Sequence, residues 1–130
     1  LILLDTHVIV WLASAPEKLS RRAVEAIANA RRDQGGLAIS GVTLYEIARA
    51  VAYRKIEVRT GLDRFLERIE KLVDVRPITP RIATFAAEMP NVYPKDPMDR
   101  LIGATSIVEG LDLVTADWLI RKSSLVRTVW

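Results

Sequence analysis

Cysteine is absent from the 130 residues. That removes disulfides, cysteine–zinc sites and thiol nucleophiles, and it fits a reducing compartment. Long apolar runs are absent too: none approaches the roughly 18 to 20 residues needed to cross a bilayer. The opening run Leu1-Ile2-Leu3-Leu4 is soon interrupted by Asp5 and His7, too early for a signal peptide. A cytoplasmic location with no membrane association is the expectation that these absences fit. Aromatic residues make up 6% of the chain, and no aromatic-rich basic stripe is visible, so the sequence does not support a base-stacking platform for single strands. A strong charge of one sign is also missing. The net charge is +3, from 19 basic and 16 acidic residues, which permits a polyanionic partner without demanding one. There is no repeat, low-complexity tract or linker, so residues 1–130 are expected to form a single domain. The chain begins at Leu1 without a methionine, and a few residues are expected to be missing upstream.

What is present is an alternation of strand-like and helix-like segments. Leu1 to Leu4 reads as a short buried strand, followed by a short helix from about Thr6 to Ala13. Ser20 is a candidate N-cap for a helix to Arg32, with Ala23, Ile27 and Ala30 as its apolar stripe. Gln34-Gly35-Gly36 reads as a turn, Leu37 to Ile39 as a second strand, and Ser40 to Tyr53 as a third helix with Leu44, Ile47, Ala48 and Val51 at core spacing. A helix is predicted from Thr60 to Lys71 and a strand over Val73 to Val75. Thr79-Pro80 opens a helix to about Glu88, Asn91 to Lys95 is a loop, and Pro97 to Glu109 is a helix stopped by Gly110. Leu111 to Thr115 is a fourth strand, Leu119 to Lys122 a helical turn, and Leu125 to Val129 a last strand. Strands separated by helices imply right-handed crossovers and a mainly parallel sheet covered on both faces, an α/β class fold.

In such sheets ligands bind beyond the carboxyl ends of the strands. Asp5 and Asp117 both follow apolar runs and fall at that edge, and Glu46, Asp96 and Asp99 lie in segments between them. Clustered carboxylates are unfavourable unless cations sit among them, so a hard-metal site is the first expectation. Each acid also has a local explanation. Asp5 can cap the first helix, Asp117 can begin a turn, and Asp96-Pro97-Met98-Asp99 makes a good helix start. Glu46 lies off the apolar stripe of its helix, in a row with Val42 and Ala50, which suits either solvent or a cleft. The metal reading therefore rests on the combination.

That combination resembles the acidic blocks of PIN domains, and most closely the VapC toxins of toxin–antitoxin pairs. The blocks are Leu3-Leu4-Asp5-Thr6-His7, then Ile39-Ser40 with Tyr45-Glu46-Ile47-Ala48, then Asp96-Pro97-Met98-Asp99-Arg100-Leu101-Ile102, then Leu113-Val114-Thr115-Ala116-Asp117. Their order and spacing match over essentially the whole chain. The resemblance implies a three-layer α/β/α sandwich and Mg2+- or Mn2+-dependent cleavage of RNA. It assigns Asp5, Glu46, Asp99 and Asp117 to the catalytic, metal-holding set, with Asp96 at the rim and Thr6 and Thr115 in support. It also implies a homodimer held inactive by a small antitoxin whose C-terminal segment wraps the toxin. Oxygen ligands suit magnesium and manganese, and such ions activate water for in-line attack on a phosphodiester. The products would then carry 5′-phosphate and 3′-hydroxyl ends.

Other polar residues carry blander expectations. His7, the only histidine, is expected to pack at the start of the first helix. Arg100 is expected to pair with a nearby acid, with a substrate phosphate ranked second. Arg21-Arg22, Arg31-Arg32, Arg54-Lys55 and Arg121-Lys122 read mainly as solvated helix faces. Trp11, Trp118 and Trp130 read as core or interface residues. Two competing functions remain. One is a catalytically silent module of the same fold that binds an antitoxin-like partner. The other is a phosphoaspartate receiver domain, which the sequence disfavours because it lacks paired acids near the first strand and a lysine after the last.

Overall fold

The computed structural model describes residues 1–33 and 35–130. Part of the expected Gln34-Gly35-Gly36 turn, residue 34, lies outside the described residues. Strand β1 is Ile2–Leu4, β2 Leu37–Ser40, β3 Asp74–Arg76, β4 Leu113–Val114 and β5 Thr128–Val129. All pair in parallel, in the order β3-β2-β1-β4-β5. Helix α1 is Thr6–Ser14, α2 Arg21–Arg32, α3 Gly41–Ala52, α4 Leu62–Leu72, α5 Pro80–Ala87, α6 Pro97–Glu109 and α7 Trp118–Ser123, with a short 3-10 turn at Pro16–Lys18.

Alternation along the strands builds two cores. Leu4, Leu37, Ile39 and Val114 face one side, where they meet Val8 and Ile9 of α1, Ala23 and Ile27 of α2, Ile47 of α3 and Phe65 and Ile69 of α4. Leu3, Ala38 and Leu113 face the other, against Ile82 and Ala86 of α5, Ile102 and Ala104 of α6 and Ile120 of α7. The period of two sends neighbouring residues to opposite cores, and the sheet is covered on both faces as the α/β/α expectation requires.

The helices start where their caps place them. Ser20 Oγ accepts the Ala23 N–H at 3.1 Å and opens α2. Ser40 Oγ accepts the Val42 N–H at 3.3 Å, so the last residue of β2 is also the cap of α3. Asp96 Oδ1 accepts from Met98 and Asp99, Pro97 takes the first helical position, and Gly110 ends α6 at φ 67°.

Several boundaries differ from the sequence reading. Strand β3 is shifted by one residue because Asp74 pairs with Ala38 and Val75 with Ile39. The fourth and fifth strands shrink to two residues each. The Thr115 N–H still reaches the Val129 carbonyl at 3.2 Å, and the chain beyond it turns into α7 at its Asp117 cap. Helix α4 begins at Leu62, after Gly61 at φ 77°.

Tyr93 lies in the loop between α5 and α6 and is buried in the second core. Its ring packs against Gly103, where a methyl group would overlap the ring and hydroxyl. Gly103→Ala is therefore expected to cost about 1–3 kcal/mol, read as a lower midpoint in urea unfolding with an unchanged slope.

Candidate metal and catalytic site

The strand order reverses between β1 and β4, so the crevice at their carboxyl ends is the topological switch point. Leu4 pairs with Val114, which brings the next residues, Asp5 and Thr115, side by side. Asp5 is almost fully buried, at 4% exposure. Its Oδ1 accepts the Thr6 N–H at 2.8 Å and its Oδ2 the Thr115 hydroxyl at 2.7 Å. Thr115 Oγ1 in turn accepts the Asp117 N–H at 3.0 Å. One threonine thus holds two of the acids in register.

Glu46 reaches the same crevice from α3. Its Oε1 accepts the Thr6 hydroxyl at 2.6 Å. Thr6 has only one hydroxyl proton, so Thr43, 3.0 Å away, donates to Thr6. Burial pushes the Glu46 carboxyl above its usual range, the Thr6 bond pulls it back, and Asp5 and Asp96 push it further up. Periodicity left Glu46 between solvent and a cleft, and the structure resolves it in favour of the cleft. Thr43 carried no sequence signal beyond its place in the block opening α3.

Asp99 sits in the first turn of α6 and is not a cap. Burial, followed by repulsion from Asp5, Asp96, Asp117 and Glu46, raises its pKa to about 7. Burial of Tyr93, and then the charges of Asp5, Asp99 and Asp117, push its hydroxyl upward, so Tyr93 remains a donor. It donates to the Asp99 carbonyl at 3.2 Å and steadies the turn that carries the carboxylate. Asp117 caps α7, accepting from Leu119 and Ile120 at 2.9 and 3.1 Å through Oδ1.

Asp5, Glu46, Asp99 and Asp117 line one cleft of about 360 Å³ together with Thr6, His7, Trp11 and Lys55. Asp96 does not line it; its charge is felt by Glu46 and Asp99 from the rim while its Oδ1 caps α6. Among the described residues no three acids are drawn together tightly enough to enclose an ion as they stand. Four carboxylates in one crevice repel, and separation lowers that cost. The donor chemistry nevertheless fits a hard divalent cation. The cleft offers carboxylate and hydroxyl oxygens, and the only imidazole is engaged, since His7 Nε2 accepts the Ala116 N–H at 2.9 Å. Oxygen-only donors favour magnesium or manganese over zinc.

His7 packs as expected at the start of α1, with its ring 5.0 Å from Trp11 and 6.4 Å from Trp130. It also ties the β4–α7 loop to α1. Because Nε2 is an acceptor, the ring proton is on Nδ1, which lies 3.7 Å from Asp5. The expectation for Arg100 is corrected. Among the described residues its guanidinium pairs with no acid; it donates to the carbonyls of Met89 at 2.6 Å and Pro94 at 3.0 Å, with longer bonds to Pro90 and Tyr93. The loop before α6 lacks sheet or helix partners for these carbonyls, and the arginine satisfies them. Of the two places expected for Trp118, the core is excluded, since it is 63% exposed.

A parallel sheet in the order 3-2-1-4-5, with carboxylates gathered at its switch point, defines a class, and comparison with known proteins agrees. The family model of the PIN domain matches residues 2–123, and the chain belongs to the PIN-domain family. It is 35% identical over 131 residues to Ribonuclease VapC22 of Mycobacterium tuberculosis (strain ATCC 25618 / H37Rv), covering 99% of this chain and 98% of that one. Its fold is similar to that of VapBC2 from Rickettsia felis bound to a DNA fragment from its promoter. That match has a TM-score of 0.71 at 15% identity, over 98% of this chain and 96% of that one. FitAcB from Neisseria gonorrhoeae matches with a TM-score of 0.70 at 20% identity, over 98% and 96% of the two chains.

Thr115 is the best test of the supporting hydroxyls. Thr115→Val keeps the shape but strips Asp5 of a bond and leaves the Asp117 N–H unmet. A loss of about 1–3 kcal/mol in stability is expected, with cleavage of RNA reduced about 10- to 100-fold, read from denaturant titration and a cleavage time course.

Proposed function

We propose that this chain is a metal-dependent endoribonuclease, the toxin of a type II toxin–antitoxin pair, working as a single PIN domain in the cytoplasm. The observation that carries this reading is the convergence of Asp5, Glu46, Asp99 and Asp117, taken from the whole length of the chain, on one cleft. The relative named a ribonuclease supports the RNA-cleaving activity. The toxin–antitoxin complexes among the structural neighbours support a small antitoxin as partner. A homodimer is the assembly expected of the toxin. No helix among the described residues is long and apolar enough to cross a membrane.

The four acids would hold Mg2+ or Mn2+, with Asp96 adding negative charge from the rim. Bound there, the ion supplies charge against the phosphodiester and lowers the pKa of water. The chain's own residues do the rest. Thr115 and the Thr6 N–H fix both oxygens of Asp5, so that carboxylate needs no reorganisation when a ligand arrives. Thr6 and Thr43 aim Glu46 from α3. Tyr93 steadies the turn bearing Asp99. His7 is held with Nε2 occupied and is not available there as a base. Lys55, at the edge of the cleft, is placed to meet a substrate phosphate.

The silent-module reading has partial local support, since Asp5 and Asp117 do serve as caps. Glu46 and Asp99 cap nothing, and both bear the cost of burial among like charges. Incubating the purified protein with total RNA, with and without chelator, and sequencing the cut ends separates the two readings. The nuclease reading expects chelator-sensitive cuts with 5′-phosphate and 3′-hydroxyl ends. An absence of cuts in Mg2+ and in Mn2+ would leave only the interaction module.

A further inference from the structure

Three successive N–H groups follow the end of β4, and each is met by a different part of the chain. The Thr115 N–H reaches the Val129 carbonyl at 3.2 Å, the Ala116 N–H reaches His7 Nε2 at 2.9 Å, and the Asp117 N–H reaches the Thr115 hydroxyl at 3.0 Å. The middle link joins residues 109 positions apart, and a side chain of α1 supplies it. It fixes the turn immediately before Asp117. Asp117 Oδ1 is spent on the N–H groups of Leu119 and Ile120, and Oδ2 accepts no hydrogen bond among the described residues. The carboxylate therefore goes where the turn and the start of α7 send it.

The His7 ring is itself held. It stands edge-on, 5.0 Å from Trp11 and 6.4 Å from Trp130, and the two indoles lie 5.9 Å apart. Such contacts set the plane of a ring. With Nε2 accepting, Nδ1 carries the proton and lies 3.7 Å from Asp5 Oδ2. His7 thus stands between the two strand-end acids, with one nitrogen beside Asp5 and the other on the backbone that leads to Asp117. Thr115 bridges the same pair through its hydroxyl. Packing alone would ask only for a ring, and phenylalanine would fill the space against Trp11 without placing a polar atom there. What histidine adds is the acceptor at Nε2.

We propose that His7 is a positioning residue for Asp117: through the Ala116 N–H it sets the turn that delivers the Asp117 carboxylate to the divalent cation. The proposal rests on the metal-site reading of the cleft and adds a residue outside the acids. In this role His7 touches neither the cation nor the RNA. Groups that orient a metal-holding side chain from behind are worth about 10- to 100-fold in affinity or activity. Removing Nε2 leaves the Ala116 N–H without its partner, and the turn is then free to take another path that returns this N–H to water. Asp117 moves with it, whereas Asp5, Glu46 and Asp99 are placed by other elements. The effect of His7 must therefore disappear once the charge of Asp117 is gone.

Calorimetric titration of Mn2+ into the whole, chelator-stripped protein tests this without reference to RNA. His7→Phe keeps a ring and deletes the acceptor, and it is expected to weaken Mn2+ binding about tenfold. His7→Gln loses the ring but offers an amide oxygen near the place of Nε2, and it is expected to stay within about threefold of the parent. In an Asp117→Asn background, His7→Phe is expected to cost no more than about twofold, while in an Asp99→Asn background the loss of about tenfold persists. Amide hydrogen exchange gives a local readout: the Ala116 and Asp117 N–H groups are expected to exchange faster in His7→Phe, and those of β1 and β2 at the parent's rate. Binding by His7→Phe equal to the parent's, or a full loss that persists in Asp117→Asn, would overturn the proposal and leave the metal site standing. A loss of about tenfold or more in His7→Gln would also overturn it, and that variant decides the matter if His7→Phe does not fold. A parent that binds no Mn2+ removes the metal reading, and the proposal with it.

Discussion

Asp5→Asn and Asp99→Asn are each expected to lower RNA cleavage by at least about a hundredfold, while the protein remains folded. The change is small in shape: one oxygen becomes an amide nitrogen. For Asp5, both carboxylate oxygens accept hydrogen bonds, from the Thr6 N–H and the Thr115 hydroxyl, and the acid is nearly buried. An amide can accept from only one of them and presents its own N–H groups to the other. The second effect is on charge, since the cleft loses one of four carboxylates and much of its hold on a divalent cation. Losses of about 10² to 10³ follow when a single preorganised electrostatic group is removed from an active site. Asp99→Asn disturbs no side-chain bond of Asp99 among the described residues, so its loss would report charge alone. Comparing the two separates the cost of a broken network from the cost of a missing charge. Circular dichroism and a cleavage assay on nuclease-free preparations provide the measurement, and full activity in both variants would refute the assignment.

The second large effect runs in the opposite direction and concerns stability. Asp99 ordinarily titrates near 3.8 and is raised to about 7 in the folded chain, by burial and then by the surrounding carboxylates. Between those values the folded state holds a proton that the unfolded state has lost. Without a divalent cation, stability from this group is therefore full below about pH 4 and falls as pH rises towards 7. The shift, discounted for the partial exposure of the site, corresponds to about 1–3 kcal/mol. Glu46, raised in the same direction, adds to the trend. Asp99→Asn removes the dependence, so in chelator at pH 8 the variant is expected to melt several degrees above the parent, on the order of 3–5 °C per kcal/mol. At pH 4.5 the difference should shrink to about a quarter of that, because the unfolded acid is by then mostly ionised. Saturating Mg2+ stabilises the parent through ligand linkage, by about 2.7 kcal/mol at a hundred times the dissociation constant, and stabilises the variant much less. One substitution would thus sharply lower activity and strengthen the metal-free fold, a trade-off common where a site concentrates like charges. Melting curves with identical pH dependence for the two proteins would contradict this.

Much of this architecture is legible in the sequence because its signals are local. Ser20, Ser40, Thr79 and Asp96 cap the helices that follow them, and capping is read from adjacent residues. The four acidic blocks are likewise short and ordered, and the carboxylates of Asp5 and Asp117 are placed by the strand ends they follow. What escaped the sequence depends on tertiary packing. Strand lengths are set by where partners run out, so Leu113–Val114 is shorter than its apolar run. The face of Glu46 is settled by Thr6, forty positions away. Tyr93 sits in a segment that reads as a plain loop, yet it fills the space left by Gly103 and reaches the Asp99 carbonyl. Arg100 follows an acid and invites pairing, but the unpaired carbonyls of Met89 and Pro94 hold it.

The central claim is that four acids scattered over the chain form one divalent-metal site. Direct titration of Mn2+ into the chelator-stripped protein, followed by electron paramagnetic resonance of the free ion, tests it without reference to RNA. The account predicts saturable binding by the parent, weakened about tenfold or more in Asp5→Asn, Glu46→Gln, Asp99→Asn and Asp117→Asn alike, and only slightly in Asp96→Asn, which removes a rim charge. Binding that is absent from the parent, or unchanged across the four variants, would contradict it.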